Sequence, residues 1–166
     1  MADLSTQERL QPSLLDRLTD DAPHERQESR ERRVLSLKRL REAVLRDLGW
    51  LLNTTSYVPA QDLSPYPEVA RSVLNFGLPE LAGKVFVGMD LPRLERQLRQ
   101  AIWNFEPRLL RDTLKVRVDV DAAKMNKNAV VFTIEGHLWA EPTPERLFLK
   151  TEVDLESGHF QVQSVT

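Results

Sequence analysis

The residues with the strongest claim to chemistry are Glu106 and Arg108, set on either side of Pro107 in the stretch Phe105-Glu106-Pro107-Arg108-Leu109. Glu106 could serve as the general acid of a glycoside hydrolase, with Asp119 or Glu135 as second carboxylate. Such a site needs two carboxyl groups about 5–10 Å apart, one with a raised pKa. A guanidinium two residues away works against a general acid, because a nearby cation favours the ionised carboxylate. Other catalytic signatures are missing: there is no Gly-rich phosphate loop, no H-E-x-x-H and no G-x-S-x-G. The three histidines, His24, His137 and His159, lie far apart and read as surface side chains. Without any cysteine, disulfides, thiolate catalysis and zinc ribbons are excluded. No metal and no cofactor is expected.

The junction has its own logic. Pro107 disfavours helical geometry at the residue before it, so a helix must end at Glu106. If the chain then runs extended, residues two apart point to one side, and Glu106 and Arg108 share a face between the apolar Phe105 and Leu109. One reading is a local ion pair that pins the turn, worth at most about 1 kcal/mol if exposed. The other is a charged clasp for another subunit, in which a planar five-donor guanidinium gives directional contacts. The residues alone leave both open.

A helix and a strand must meet at this junction, and the rest of the chain supplies them. Its 166 residues, 41% hydrophobic and 29% charged, fit one soluble domain (26–166) with an N-terminal arm (1–25). The formal charge of −2 gives no general reason to bind nucleic acid. No apolar run reaches the roughly 20 residues of a membrane helix, and the start lacks a signal-peptide layout. A cytoplasmic protein with no direct membrane insertion follows as the expectation.

In the arm, Leu14, Leu15 and Leu18 fall on one face of a two-turn helix too short to be stable alone. It either folds back on its own domain or docks on a partner. A long helix is predicted from about Glu28 to Leu52, with Leu37, Leu40, Val44, Leu48 and Leu51 as its stripe and Glu42–Arg46 as an i,i+4 pair. Its basic residues near Arg30, Arg32 and Arg33 allow a weaker reading as an anion-docking module. A second helix is predicted from Pro65-Tyr66-Pro67 with a stripe of Val69, Ala70, Val73 and Leu74, and Gly77 as a left-handed cap. The third opens near Asp90, with Leu91, Leu94, Leu98, Ala101, Ile102 and Phe105 as its apolar stripe.

Beyond Pro107 the period changes from 3.6 to 2. Val116, Val118 and Val120 alternate with charged residues. Turns at Asn126-Lys127-Asn128, Glu141-Pro142-Thr143-Pro144 and Glu156-Ser157-Gly158 then separate three further strands. Helices first and consecutive strands second predict an α+β fold: N-terminal helices packed on a C-terminal four-stranded antiparallel meander. An edge of that meander, at Phe160–Val165 or Val116–Val120, would be a template for strand addition from another chain.

The Phe105-Glu106-Pro107-Arg108-Leu109 junction resembles the E-P-R motif of the phage baseplate wedge family once labelled lysozyme-like. Within it, the chain resembles the type VI secretion baseplate subunits of the TssE group. Pro12-Ser13-Leu14-Leu15-Asp16-Arg17-Leu18, Asp47-Leu48-Gly49-Trp50-Leu51-Leu52-Asn53-Thr54, Ser72-Val73-Leu74-Asn75-Phe76-Gly77-Leu78 and Leu155-Glu156-Ser157-Gly158 carry the same resemblance, in order, from about Pro12 to the end.

The resemblance implies a structural role without catalysis, in a baseplate docked at the inner membrane complex. It implies partners: the wedge proteins TssF and TssG, TssK in the same assembly, and the sheath proteins TssB and TssC, whose polymerisation the C-terminal sheet would help start. It implies that Glu106, Pro107 and Arg108 stabilise the assembled wedge, with Leu14, Leu15 and Leu18 as further contacts. A peptidoglycan hydrolase using Glu106 is the alternative.

Overall fold

The structure, a computed structural model, describes residues 13–19, 23–24, 37–57, 63–83, 90–119, 129–139 and 144–164. Among the described residues, four α-helices precede four strands: α1 (Leu14–Leu18), α2 (Leu37–Leu52), α3 (Pro67–Arg71) and α4 (Leu91–Phe105), then β1 (Lys115–Asp119), β2 (Ala129–Leu138), β3 (Glu145–Asp154) and β4 (Phe160–Ser164). The strands form one antiparallel sheet in the order β1-β2-β3-β4. The expected α+β meander is therefore what the chain builds. Arg30, Arg32, Arg33, Val120, Val165 and the Asn126-Lys127-Asn128 turn lie outside the described residues, as does the predicted start of the long helix at Glu28.

Alternation places Val130, Phe132, Ile134 and Leu138 of β2 on the same face as Leu147, Leu149 and Val153 of β3, and all are buried. Leu40, Val44, Leu48 and Leu51 of α2 join Leu94, Leu98, Ala101 and Ile102 of α4 in one core with that face. A buried leucine contributes about 1.5–3 kcal/mol, so these two stripes account for much of what holds helices to sheet. Leu37, assigned to the stripe by spacing, sits at the first described residue of α2 and is exposed. Thr151 occupies a core position of β3; it is fully buried, and its hydroxyl has no hydrogen-bond partner.

The region of Val69–Leu74 departs from expectation. Ser72 takes an extended backbone and its hydroxyl donates to Val69 O (2.9 Å) and accepts from Leu74 N (3.3 Å), ending α3 and starting a 3₁₀ turn. A serine hydroxyl that competes for backbone partners favours such a break. Val73 and Leu74 consequently face solvent, 80% and 73% exposed, instead of continuing a buried stripe. Asn75 turns inward, accepting from Tyr57 N and donating to Ala70 O.

Gly77 has φ +121°, as a left-handed position requires, but its role is close approach rather than helix capping. A Cβ there would run into the carbonyl of Thr54. That carbonyl accepts Leu78 N (2.8 Å), and Leu78 O accepts Ser56 N (2.7 Å), so the segment is stitched beside the end of α2.

Candidate functional site

Asp90 caps α4 by accepting Arg93 N, and the helix ends where Pro107 dictates: Glu106 has φ −123°, ψ 78°, and its N–H makes the last helical bond, to Ile102 O. The next residues do not run extended, as expected from the sequence. Leu109 N donates to Glu106 O (3.2 Å), closing a turn over Pro107 and Arg108. Proline's fixed φ suits the second position of such a turn. The two charges still meet, because the turn folds Arg108 back over Glu106. Arg108 Nε donates to Glu106 Oε1 (2.7 Å), Nη2 to Oε2 (2.5 Å), and its backbone N–H to Oε1 (3.1 Å).

The turn is then fixed to the sheet. Trp139 N donates to Arg108 O (2.7 Å) and Leu110 N to His137 O (2.9 Å), forming a short bridge between Leu109 and Leu138 at the end of β2. Leu109 is buried over Gly136, and Phe105 packs edge-on against Phe76 at 5.2 Å. The two apolar anchors predicted from the sequence do hold the junction.

Glu106 is 3% exposed and the Arg108 side chain 21% exposed. The carboxylate thus lies inside the molecule with both oxygens held by one guanidinium. Burial alone would lower the Arg108 pKa, but hydrogen bonds and charge from Glu106, then from Asp47, outweigh it and hold the group above its ordinary value. Arg108 Nη2 also reaches Asp47 Oδ2 (2.5 Å) on α2, while Nη1 is buried without a partner.

From Asp47 the ionic contacts continue. Asp47 Oδ1 accepts from Arg46 Nε (2.9 Å), and Arg46 Nη1 donates to Asp16 Oδ1 (2.6 Å) on α1. The Arg46 guanidinium also lies over the Trp50 ring, 5.0 Å from its centroid. The Arg46 pKa is raised by its hydrogen bonds to Asp16 and Asp47. For Asp16, burial acts to raise the carboxyl, but hydrogen bonds from Arg46 and Ser13 prevail and lower it. Asp16–Arg46–Asp47–Arg108–Glu106 is therefore one chain of alternating charge, running from the arm to the junction.

Two groups of residues singled out by sequence, the arm and the junction, are thus joined through Arg46 and Asp47, which sequence reasoning did not connect. The expected Glu42–Arg46 pair is not formed. Glu42 faces Lys38 at 3.9 Å, and Arg46 turns toward the two aspartates instead. Within the arm, Leu15 and Leu18 are exposed, and the side chain of Leu14 lies outside the described part of the structure. The side chain of Asp119 is likewise undescribed, and Glu135 is half-buried within β2. His24 and His159 are exposed, and among the described residues no three His, Asp or Glu side chains gather as metal ligands would. Among the described residues, no helix is long and apolar enough to cross a membrane.

Both sheet edges carry a side chain from a helix. On β1, Val118 N donates outward to Glu95 Oε1 (2.7 Å) of α4. On β4, the Asn53 amide at the end of α2 accepts from Phe160 N (2.8 Å) and donates to Phe160 O (3.0 Å), as a neighbouring strand would. Backbone groups alternate inward and outward along an edge strand. On β1 the outward positions are Val116 and Val118, and among the described residues one amide of the two is taken. On β4, among the described residues, only the first of Phe160, Val162 and Ser164 is taken, leaving two consecutive outward positions. Neither Glu95 nor Asn53 could be assigned this part from the sequence, since each meets a strand far along the chain.

The family model described as baseplate wedge protein gp25 matches residues 38–143. That span runs from the second residue of α2 to just before β3, and it contains Asp47, Asn53 and the whole Glu106-Pro107-Arg108 turn. No curated protein and no solved structure matches the chain.

Proposed function

The chain belongs to the baseplate wedge protein gp25 family, and from that premise we propose that it is a structural subunit of a type VI secretion baseplate, acting by binding and not by catalysis. In this reading it joins the wedge proteins TssF and TssG, with TssK in the same assembly, to the first ring of a TssB–TssC contractile sheath. It works in the cytoplasm, in a baseplate docked at the inner membrane complex. The observation that carries the sheath half of the proposal is the β4 edge, whose outward groups at Val162 and Ser164 lie beyond the Asn53 clasp. Such an edge offers main-chain hydrogen bonds to an extended segment of another chain. The β1 edge suits this less, because Glu95 takes the amide an incoming strand would need at Val118.

The burial of Glu106 favours a structural reading of the junction. A general acid must reach the glycosidic oxygen, whereas this carboxylate is buried and forked by Arg108. The Glu106–Arg108 turn then acts by fixing α4 to the sheet and to α2, so that the partner-facing surfaces keep one geometry.

The experiment is Val162→Pro against Val162→Ala. Proline at an outward-facing edge position removes an amide that β3 does not use, so the β3–β4 ladder survives. Co-expression with wedge and sheath proteins should give sheath assembly with Val162→Ala and none with Val162→Pro, while both variants still co-purify with the wedge. Normal sheath assembly by a folded Val162→Pro chain would remove β4 as the template. Cell-wall hydrolysis by the purified protein would replace the structural reading altogether.

A further inference from the structure

Helix α1 is held on the domain in an unusual way. Five residues cannot sustain a helix in isolation, and the two leucines of α1 with described side chains, Leu15 and Leu18, are exposed rather than buried against α2. The long-range contact described for it is ionic, from Asp16 to Arg46. That contact is also incomplete. Only Asp16 Oδ1 reaches Arg46, through Nη1, because Oδ2 accepts the Ser13 hydroxyl at 2.6 Å. Arg46 Nη2 is buried with no hydrogen-bond partner.

A guanidinium is built to engage a carboxylate through two parallel N–H groups, and here one of them is idle. The receiving side, by contrast, is prepared without α1. Arg46 Nε is fixed by Asp47 Oδ1, Asp47 is fixed in turn by Arg108, and the guanidinium lies over the Trp50 ring. Removal of α1 would leave Arg46 in place with two free N–H groups, beside an exposed aromatic ring.

We propose that the Arg46–Trp50 face of α2 is a docking site for a short acidic helix, filled by α1 in the isolated chain and taken over by such a helix of a partner protein. A partner carboxylate free to use both oxygens engages Arg46 through Nη1 and Nη2 together, which Asp16 does not. Exchange also frees α1 to move, carrying its already exposed Leu15 and Leu18 with it. Because Arg46 shares Asp47 with Arg108, the helix would be seated one ionic step from the junction.

The test uses the full chain and a synthetic peptide of residues 12–24 as the probe, with binding followed by chemical shifts in the ¹⁵N-labelled protein. The Asp16→Asn chain, whose own arm is weakened, should bind the peptide about two- to fivefold more tightly than the wild type, the range a partly exposed ion pair near the surface supports. The peptide carrying Asp16→Asn should bind the same chain correspondingly more weakly, a comparison that leaves the protein unaltered. Equal affinity of wild type and Asp16→Asn chain, or indifference to the charge of the peptide, would overturn the proposal. Dimerisation of the wild-type chain that is lost in Asp16→Asn would overturn the assignment to a different partner, because the occupant would then be a second copy of α1.

Discussion

Arg108→Ala isolates what the junction contributes. The substitution removes both side-chain bonds to Glu106 and leaves the carboxylate, 3% exposed, with only the Arg108 backbone N–H. Deleting one partner of a buried ion pair costs about 3–5 kcal/mol, because the remaining charge is desolvated without compensation. The Arg108 side chain is 21% exposed, so water can enter where the guanidinium stood, and the lower end, about 3 kcal/mol, is the expectation. At about 2–4 °C per kcal/mol for a chain of this length, the melting temperature should fall by about 6–12 °C.

Urea unfolding of Arg108→Ala, Arg108→Met, Glu106→Leu and the double variant Glu106→Leu/Arg108→Met would measure the coupling. An apolar pair of similar volume should recover stability to within about 1 kcal/mol of the wild type. A loss below about 1 kcal/mol for Arg108→Ala, with additive effects in the double variant, would refute the buried-clasp argument. The recovered double variant carries a second result. If it is stable and still assembles, the turn acts only through the fold; if it is stable and fails to assemble, the charges contact a partner.

Other outcomes follow from geometry elsewhere. Gly77→Ala should destabilise by about 2 kcal/mol or more in thermal unfolding, since both its φ of +121° and the Thr54 carbonyl oppose a Cβ. Thr151→Val removes a buried hydroxyl without a partner at nearly constant shape, and should raise stability by about 1 kcal/mol in the same assay. Asp16 has a carboxyl lowered from 3.8, so its contribution to arm docking is complete above that pH and is lost as pH falls through the lower folded value. The Thr19 amide resonance, whose N–H bonds to Leu15 O in α1, should report that titration and show none in Asp16→Asn.

The sheet was readable because its signal is local. Alternation at Val116–Val118, Val130–Leu138 and Leu147–Val153 survives in any meander that buries one face, and the turn residues separate the strands. The α4 boundaries were equally legible, as Asp90 and Pro107 act through their own backbone neighbourhood. Val73 and Leu74 misled because periodicity assumes that the helix continues, and the Ser72 hydroxyl ended it. At Glu106 and Arg108 the contact was anticipated but its burial was not, since burial depends on Asp47 and on the end of β2, distant in sequence. Arg46 shows the same limit: a neighbour four residues away was the local guess, and aspartates on two different elements were the outcome.

The Asn53–Phe160 clasp joins positions 107 residues apart, and it has a consequence for fidelity. A local turn at Glu156-Ser157-Gly158 brings β4 beside β3, but a short hairpin can slip by one residue. Slippage by one would flip every side chain of β4 to the other face, taking Phe160 out of the core and bringing Gln161 or His159 to the Asn53 amide. The clasp and the buried Phe160 ring therefore index the strand together, one through the backbone and one through the side chain. In the alignment that satisfies both, the groups left facing outward are those of Val162 and Ser164.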